Sequence, residues 1–348
     1  MRRTSPRSAG SESPRDGPPN GRGDGLRLVL IGAGWITQYH LAALDRLGRT
    51  RLVGVASGRL ESAKATAEPR GAAAYSYDDI DRMLDEQRPD IAYVCVPPSA
   101  AIAVLERLVE RGIPFVTEKP LAAIDADGPA RIAAGVAERG VIAAVGYRLR
   151  GLDAIVEVRE RLASNPAHLI TARWLCDTPG PAWWRREELG GGQVVEQATH
   201  FYDLARLLVG EATVIGAAST RQEPFVPAGV DVVDATAAIL RFETGAVGSF
   251  ANTRRLASAV IEVELACADL LITIRKTGAV QTSWEVVFDD GQSVRKIPPG
   301  RDPYEVQAAA ILDAVDSGDP TRVLSTYADA LKSDRLTRAV VAATGRAG

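Results

Sequence analysis

The chain of 348 residues is poor in cysteine, histidine, methionine and lysine. Its three cysteines (Cys95, Cys176, Cys267) lie far apart with no paired spacing. That excludes a disulfide framework and a cysteine-rich zinc site, and it points to a reducing, cytoplasmic compartment. No apolar run reaches membrane-spanning length, so no membrane partner is expected. A net charge of −3 argues against a nucleic-acid-binding surface, so no nucleic-acid partner is expected. Two of the three histidines, His40 and His168, have no neighbours at metal-ligand spacing, so no metal is expected. Lysine is scarce: five residues (Lys64, Lys119, Lys276, Lys296, Lys332) among 41 basic side chains. A lysine retained at a structured position therefore stands out. What remains, 46% hydrophobic and 24% charged, is the composition of a globular protein long enough for two domains.

Residues 1–25 are rich in Arg, Ser, Pro and Gly and read as a disordered tail. Arg2-Arg3 is not followed by an apolar stretch, so a secretion signal is not expected. From 26 to 148, apolar runs at 26–31, 51–56, 91–96, 114–117 and 141–145 alternate with helical patterns near 35–47, 59–68, 78–87, 99–111 and 125–139. Such alternation predicts a doubly wound parallel sheet. Pro97-Pro98 closes the third of these strands at the carboxyl edge, where ligands bind in such folds. Beyond residue 167 strand-like runs follow one another, at 167–175, 212–220, 232–242, 246–252, 258–266, 269–275, 279–288 and 292–297. Thr244-Gly245 and Asp289-Asp290-Gly291 look like hairpin turns, so an antiparallel sheet is expected over a second unit spanning 149–325. Helices near 302–317 and 325–344 end the chain, with 326–348 packing back on the core.

Three clusters carry chemistry. The run Leu28-Val29-Leu30-Ile31-Gly32-Ala33-Gly34-Trp35-Ile36-Thr37 takes a strand through a glycine turn into a helix. Glycines allow a tight turn and close approach of a pyrophosphate, and the helix offers free N–H groups and the positive end of its dipole. Thr37 stands at the third glycine of the dinucleotide fingerprint, so packing there must tolerate a hydroxyl and a methyl. The second strand ends in Ser57-Gly58-Arg59 without an acid to take ribose hydroxyls, and the first acid is Glu61. Ser57 and Arg59 suit a 2′-phosphate, so NADP is preferred over NAD.

Thr117-Glu118-Lys119-Pro120 follows the 114–117 strand and sets one of the five lysines at a strand end. An ammonium there can donate to a substrate oxygen beside a nicotinamide. Adjacent strand residues face opposite ways, so Glu118 and Lys119 are not expected to pair. The segment Gly190-Gly191-Gly192 opens a predicted helix over 193–209. Val194, Ala198, Phe201, Ala205 and Leu208 form its apolar stripe, while Glu196, His200 and Asp203 fall on the opposite side. The spacing predicts a carboxylate that orients the His200 imidazole and stabilises its protonated form; a solvated helix face is the competing reading. Trp183 and Trp184 precede the glycines and can wall a sugar pocket or form a buried aromatic pair. His40 is expected to pack or cap near the first unit, and His168 to lie at the surface.

In this order, Gly32-Ala33-Gly34, Glu118-Lys119-Pro120, Gly146-Tyr147-Arg148 and the Gly190-Gly191-Gly192…His200…Asp203 segment resemble the Gfo/Idh/MocA oxidoreductases, over nearly all of 26–340. The resemblance implies a Rossmann domain followed by an α+β domain whose large open, mainly antiparallel sheet often forms homodimers or homotetramers. It implies hydride transfer between NAD(P) and a sugar, cyclitol or keto-sugar carbon. Carried over residue by residue, Lys119 resembles the active-site lysine and His200 the proton-transfer histidine. Glu196 stands where the family commonly has Asp, one methylene longer, a shift of about 1 Å. Asp203 resembles a helix-supporting position, and Tyr147 and Arg148 border cofactor or substrate. The cofactor set expected is Gly32, Gly34, Trp35, Ile36, Ser57, Arg59, Pro97, Glu118 and Lys119. Two other readings stay open: an NAD-dependent glycosidase that borrows and returns the hydride, and a non-catalytic cofactor-binding protein.

Overall fold

The computed structural model describes residues 25–222, 229–278 and 282–345. The expected tail therefore lies outside the described residues but for Gly25, as do residues 279–281 of the expected 279–288 strand.

The first unit alternates β1 (Leu26–Ile31), α1 (Trp35–Leu47), β2 (Thr50–Ser57), α2 (Leu60–Ala67), β3 (Ala73–Ser76), α3 (Ile80–Gln87), β4 (Ile91–Val94), α4 (Pro98–Glu110), β5 (Phe115–Thr117), α5 (Gly128–Arg139) and β6 (Ala143–Val145). All pair in parallel, in the order β3-β2-β1-β4-β5-β6. The strands are continuous apolar runs because helices cover both faces. The short β3 was not expected: four residues, three of them small, carry little pattern. The strand expected over 91–96 stops at Val94. Pro97 caps α4 and Pro98 is its first residue, where a missing N–H costs nothing.

The second unit holds α6 (Ile155–Ser164), β7 (Leu169–Asp177), α7 (Glu187–Gly190), α8 (Thr199–Leu208), β8 (Ala212–Thr220), β9 (Ala235–Phe242), β10 (Val247–Thr253), β11 (Arg255–Cys267), β12 (Leu270–Lys276), β13 (Trp284–Asp289) and β14 (Val294–Ile297). Its strands form one eight-stranded sheet, β14-β13-β12-β11-β7-β10-β9-β8, antiparallel except for the β7–β10 pair. The mainly antiparallel reading holds; β7 and β10 run parallel because they are joined by a long crossover rather than a hairpin.

One face of the sheet is covered by Val158 and Leu162 of α6, Phe201 and Leu204 of α8, and Leu336 and Val340 of α10 (Tyr327–Ala343). The other face is open: Ile239, Val247 and Leu271 are exposed beside the Arg275–Glu285 and Arg173–Glu262 ion pairs. The helix α9 (Pro303–Ser317) buries Ala308, Ile311 and Leu312 in the core of the first unit, against Leu41 and Leu44 of α1. Tyr327, Ala330 and Leu331 of α10 pack on the first unit and Leu336 and Val340 on the second, so this helix ties the two.

Candidate active site

The crevice opens where the strand order reverses, between β1 and β4. Gly32 takes φ +105°, and a Cβ there would lie 2.2 Å from the Cys95 carbonyl oxygen, so only glycine fits. Fully buried Thr37 donates its hydroxyl to the Gly32 carbonyl at 3.0 Å, which satisfies the polar group at the third-glycine position. Gly34 differs: its φ is −86°, and a Cβ would meet no atom within 4 Å. It is the exposed N-cap of α1, and no side chain caps the free N–H groups behind it. This open cradle on a helix N-terminus fits a dinucleotide pyrophosphate. Trp35, 60% exposed, and half-buried Ile36 follow it, and half-buried Pro97 stands across the crevice at α4. At the end of β2, Ser57 is buried and Arg59, the N-cap of α2, is exposed.

After β5 the chain sends its two charges apart. Glu118 Oε1 accepts from His40 Nε2 at 2.8 Å. Lys119 Nζ donates to Glu196 Oε1 at 2.8 Å and to the Glu196 carbonyl at 2.6 Å. Two of the three ammonium donors are thus held by one residue. Gly146 makes room for the first pair, since a Cβ would lie 2.7 Å from Glu118 Oε1. Burial works against the Glu118 carboxylate, yet the His40 hydrogen bond and the charges of His40, Lys119 and Arg148 hold it below the usual carboxylate range. Tyr93 and Tyr304 meet the His40 ring edge-on, with centroids 5.3 and 5.2 Å away.

The glycine segment leads into a π-turn over Val194–Ala198 before α8. Gly191 needs its φ of +79°, and a Cβ would lie 3.0 Å from the Ala123 carbonyl. The wider π-turn rotates Glu196 away from the face that ideal helical spacing assigns it. Its Oε1 meets Lys119, and its Oε2 accepts from Trp184 Nε1 at 2.7 Å. The expected Glu196–His200 pairing is therefore corrected. His200 is fully buried, and its Nε2 lies 2.6 Å from Arg148 Nη1. Its ring stacks on Trp174 at 5.8 Å, and Tyr147 stands edge-on at 5.9 Å. Burial first, then the charges of Arg148 and Lys119, push the imidazole well below its ordinary pKa. The expectation of a stabilised imidazolium is reversed: the surroundings favour the neutral ring.

The solvated reading of this helix face fails as well. Asp203 is buried, accepting from Arg150 at 2.7 and 2.6 Å and from Ser333 at 2.8 Å. The structure thus brings together Lys119, Glu196, His200, Tyr147, Arg148 and Trp184. Tyr147 is buried and its hydroxyl shares a hydrogen bond with Thr199 at 2.9 Å. Trp184 is buried with Val230 and Val232, and half-buried Trp183 packs beside it against Gly190. His168 is exposed, as expected.

Sequence reasoning missed His40 as the partner of Glu118, and it missed Arg150. The one visible signal for Arg150 was the dense Arg148…Arg150 run beside a conspicuous glycine. It also missed Gln193, which donates to the Thr253 carbonyl at 2.9 Å and accepts from Asn252 at 2.9 Å, moored to β10. Among the described residues no group of three or more His, Cys, Asp or Glu is arranged to hold a metal, and no helix is long and apolar enough to cross a membrane.

Residues 26–147 match the model of an oxidoreductase family with an NAD-binding Rossmann fold, and residues 165–273 match the GFO/IDH/MocA C-terminal domain. The chain is 28% identical over 192 residues to the D-glucoside 3-dehydrogenase of Escherichia coli, covering 53% of this chain and 54% of that one. It spans about half the length of that relative. The fold is shared with the aldose–aldose oxidoreductase of Caulobacter crescentus (TM-score 0.82, 21% identity, 92% and 98% of the two chains). It is also shared with a 3-ketoreductase of Actinomadura kijaniata solved with NADP and TDP-benzene (TM-score 0.79, 20% identity, 92% and 98%).

Proposed function

The chain belongs to the Gfo/Idh/MocA oxidoreductases, and on that premise we propose that it moves a hydride between NAD(P) and the carbinol or carbonyl carbon of a sugar, cyclitol or keto-sugar. The observation that carries this reading is the placement of Lys119 and His200. One residue, Glu196, locks the ammonium of Lys119 a single turn from the buried imidazole of His200.

In oxidation, the substrate hydroxyl gives its proton to His200 while its carbon loses hydride and its C–O bond becomes a carbonyl. Lys119 directs its remaining N–H at that oxygen and stabilises the negative charge it gains. Glu196 holds Lys119 in place and is itself held by Trp184. In reduction the protonated His200 returns the proton. A bound nicotinamide supplies the hydride acceptor or donor. Gly32, Gly34, Trp35, Ile36 and Pro97 line its cradle, and Glu118 and Lys119 border its reactive end. Ser57 and Arg59 favour NADP over NAD. Tyr147, Arg148, Trp183 and Trp184 wall the substrate, and the open sheet face with Ile239, Val247 and Leu271 is where copies of the chain assemble.

The test is a panel of polyols and keto-sugars offered with NAD(H) and NADP(H), followed by nicotinamide absorbance. Turnover on at least one member, faster with NADP(H), is expected. Bound cofactor with flat absorbance across the panel overturns the reading.

A further inference from the structure

The pair formed by Arg148 and His200 has a consequence for proton transfer. A guanidinium has donors and no acceptor and stays charged. The 2.6 Å contact between Arg148 Nη1 and His200 Nε2 therefore requires a bare Nε2 lone pair. The ring proton must then sit on Nδ1, which is buried and has no hydrogen-bond partner among the described residues. A buried Nδ1–H without an acceptor is an unfavourable choice for an isolated imidazole. The guanidinium makes that choice.

We infer that Arg148 is a positioning residue that fixes His200 as the neutral Nδ1–H tautomer and reserves Nε2 as the proton acceptor. An arriving hydroxyl replaces the guanidinium at Nε2 and delivers its proton there. Arg148, on the 148–151 turn, is restrained from below, because Arg150 of the same turn is clamped to Asp203 of α8. The turn that carries Arg148 is thus tied to the helix that carries His200, while the Arg148 side chain yields Nε2 to the hydroxyl.

The groups around His200 all bear on its protonation. Arg148 and Lys119 are the charges acting on it, with Tyr147 edge-on and Trp174 stacked on the ring. Glu196 on its own helix is taken up by Lys119 and Trp184, and Asp203 by Arg150. From β12, Lys276 adds a further positive charge close enough to interact with Arg148, and on β7 Cys176 bonds to Gln193 and Gln197 rather than to the ring. Among the described residues no carboxylate is among the groups that shift the imidazole, so none offsets the guanidinium.

This inference rests on the functional reading for its meaning, but its test needs no substrate. The chain has three histidines. With 15N-labelled histidine, long-range 1H–15N spectra report tautomer and titration for each ring. Exposed His168 serves as the in-chain reference signal, and the ordinary imidazole pKa is ~6.5. In the wild-type chain His200 is expected as the Nδ1–H tautomer with no titration near that pH. Arg148→Met should shift its midpoint upward by more than about one pH unit and populate the Nε2–H tautomer. Arg148→Lys, which keeps the charge, should give a smaller shift. The His40 and His168 signals check that the variants fold. An Nε2–H tautomer in the wild-type chain overturns the inference whether or not the variants fold, as does an unmoved His200 midpoint in a folded Arg148→Met. If the tautomer is as stated but His200→Gln keeps full turnover, the functional reading fails while this inference stands.

Discussion

Gly32 and Gly34 stand two residues apart in one turn, yet alanine should do opposite things at the two positions. At Gly32 alanine inherits a φ of +105°, a cost of about 1–3 kcal/mol. Its Cβ would also lie 2.2 Å from the Cys95 carbonyl, and backbone between β1 and β4 would have to move, a further ~1–3 kcal/mol. The sum, ~2–6 kcal/mol, is a large part of a total stability on the order of 5–15 kcal/mol. At about 2–4 °C per kcal/mol the melting point should fall by roughly 4–24 °C. At Gly34 alanine keeps an ordinary φ of −86° and its Cβ touches nothing within 4 Å, so only a weaker N-cap remains as a cost, about 1 kcal/mol at most. The same methyl stands in the cradle where a phosphate must approach, so NAD(P)H affinity should fall ~10–100-fold, or about 1.4–2.8 kcal/mol. Differential scanning fluorimetry and NAD(P)H fluorescence titration on both variants read the two effects separately. A Gly34→Ala variant that binds NAD(P)H like the wild type, or a Gly32→Ala variant that melts like it, refutes the reasoning.

Other consequences can be checked in the same way. Because folded His200 resists protonation, its contribution to stability is complete above the unfolded pKa of ~6.5 and is lost as pH falls below it, by up to about 1.4 kcal/mol per pH unit. Urea unfolding at several pH values should show this loss in the wild type, and His200→Gln should lack it; equal slopes would contradict the neutral imidazole. Arg150→Met leaves Asp203 buried without its guanidinium and should cost ~3–5 kcal/mol in denaturant unfolding. A loss under ~1 kcal/mol would mean that the clamp is dispensable. Trp184→Phe removes the donor to Glu196 Oε2 and should cost ~1–3 kcal/mol while lowering turnover more than cofactor affinity; unchanged turnover would sever Glu196 from the chemistry.

Much of this was legible in the chain because it was local. A strand running into Gly32 and Gly34, a lone lysine after β5 and three glycines ahead of His200 are contiguous patterns, and the lysine meets Glu196 just beyond those glycines. The alternation of strand and helix gave the parallel sheet, and the run of hairpin signals gave the second one. What was not legible is non-local or departs from ideal periodicity. Glu118 and His40 are 78 residues apart, and no spacing rule joins them. The π-turn over Val194–Ala198 broke the 3.6-residue register, so Glu196 turned to Lys119 and Trp184 instead of His200. The polar residues His200 and Asp203 seemed to face water because their partners, Arg148 and Arg150, come from a turn about fifty residues earlier. The helix α6 was missed between two sheets because its Glu157, Arg159, Glu160 and Arg161 dilute a narrow apolar stripe of Ile155, Val158 and Leu162.

The most direct measurement is steady-state turnover together with NAD(P)H affinity for Lys119→Met, using whichever substrate the panel identifies. The account predicts a fall in kcat of at least about 100-fold, the scale for removing a donor to the developing oxyanion, with cofactor affinity within a few-fold of wild type. A variant that turns over at the wild-type rate, or that loses cofactor binding and turnover in equal measure, contradicts it.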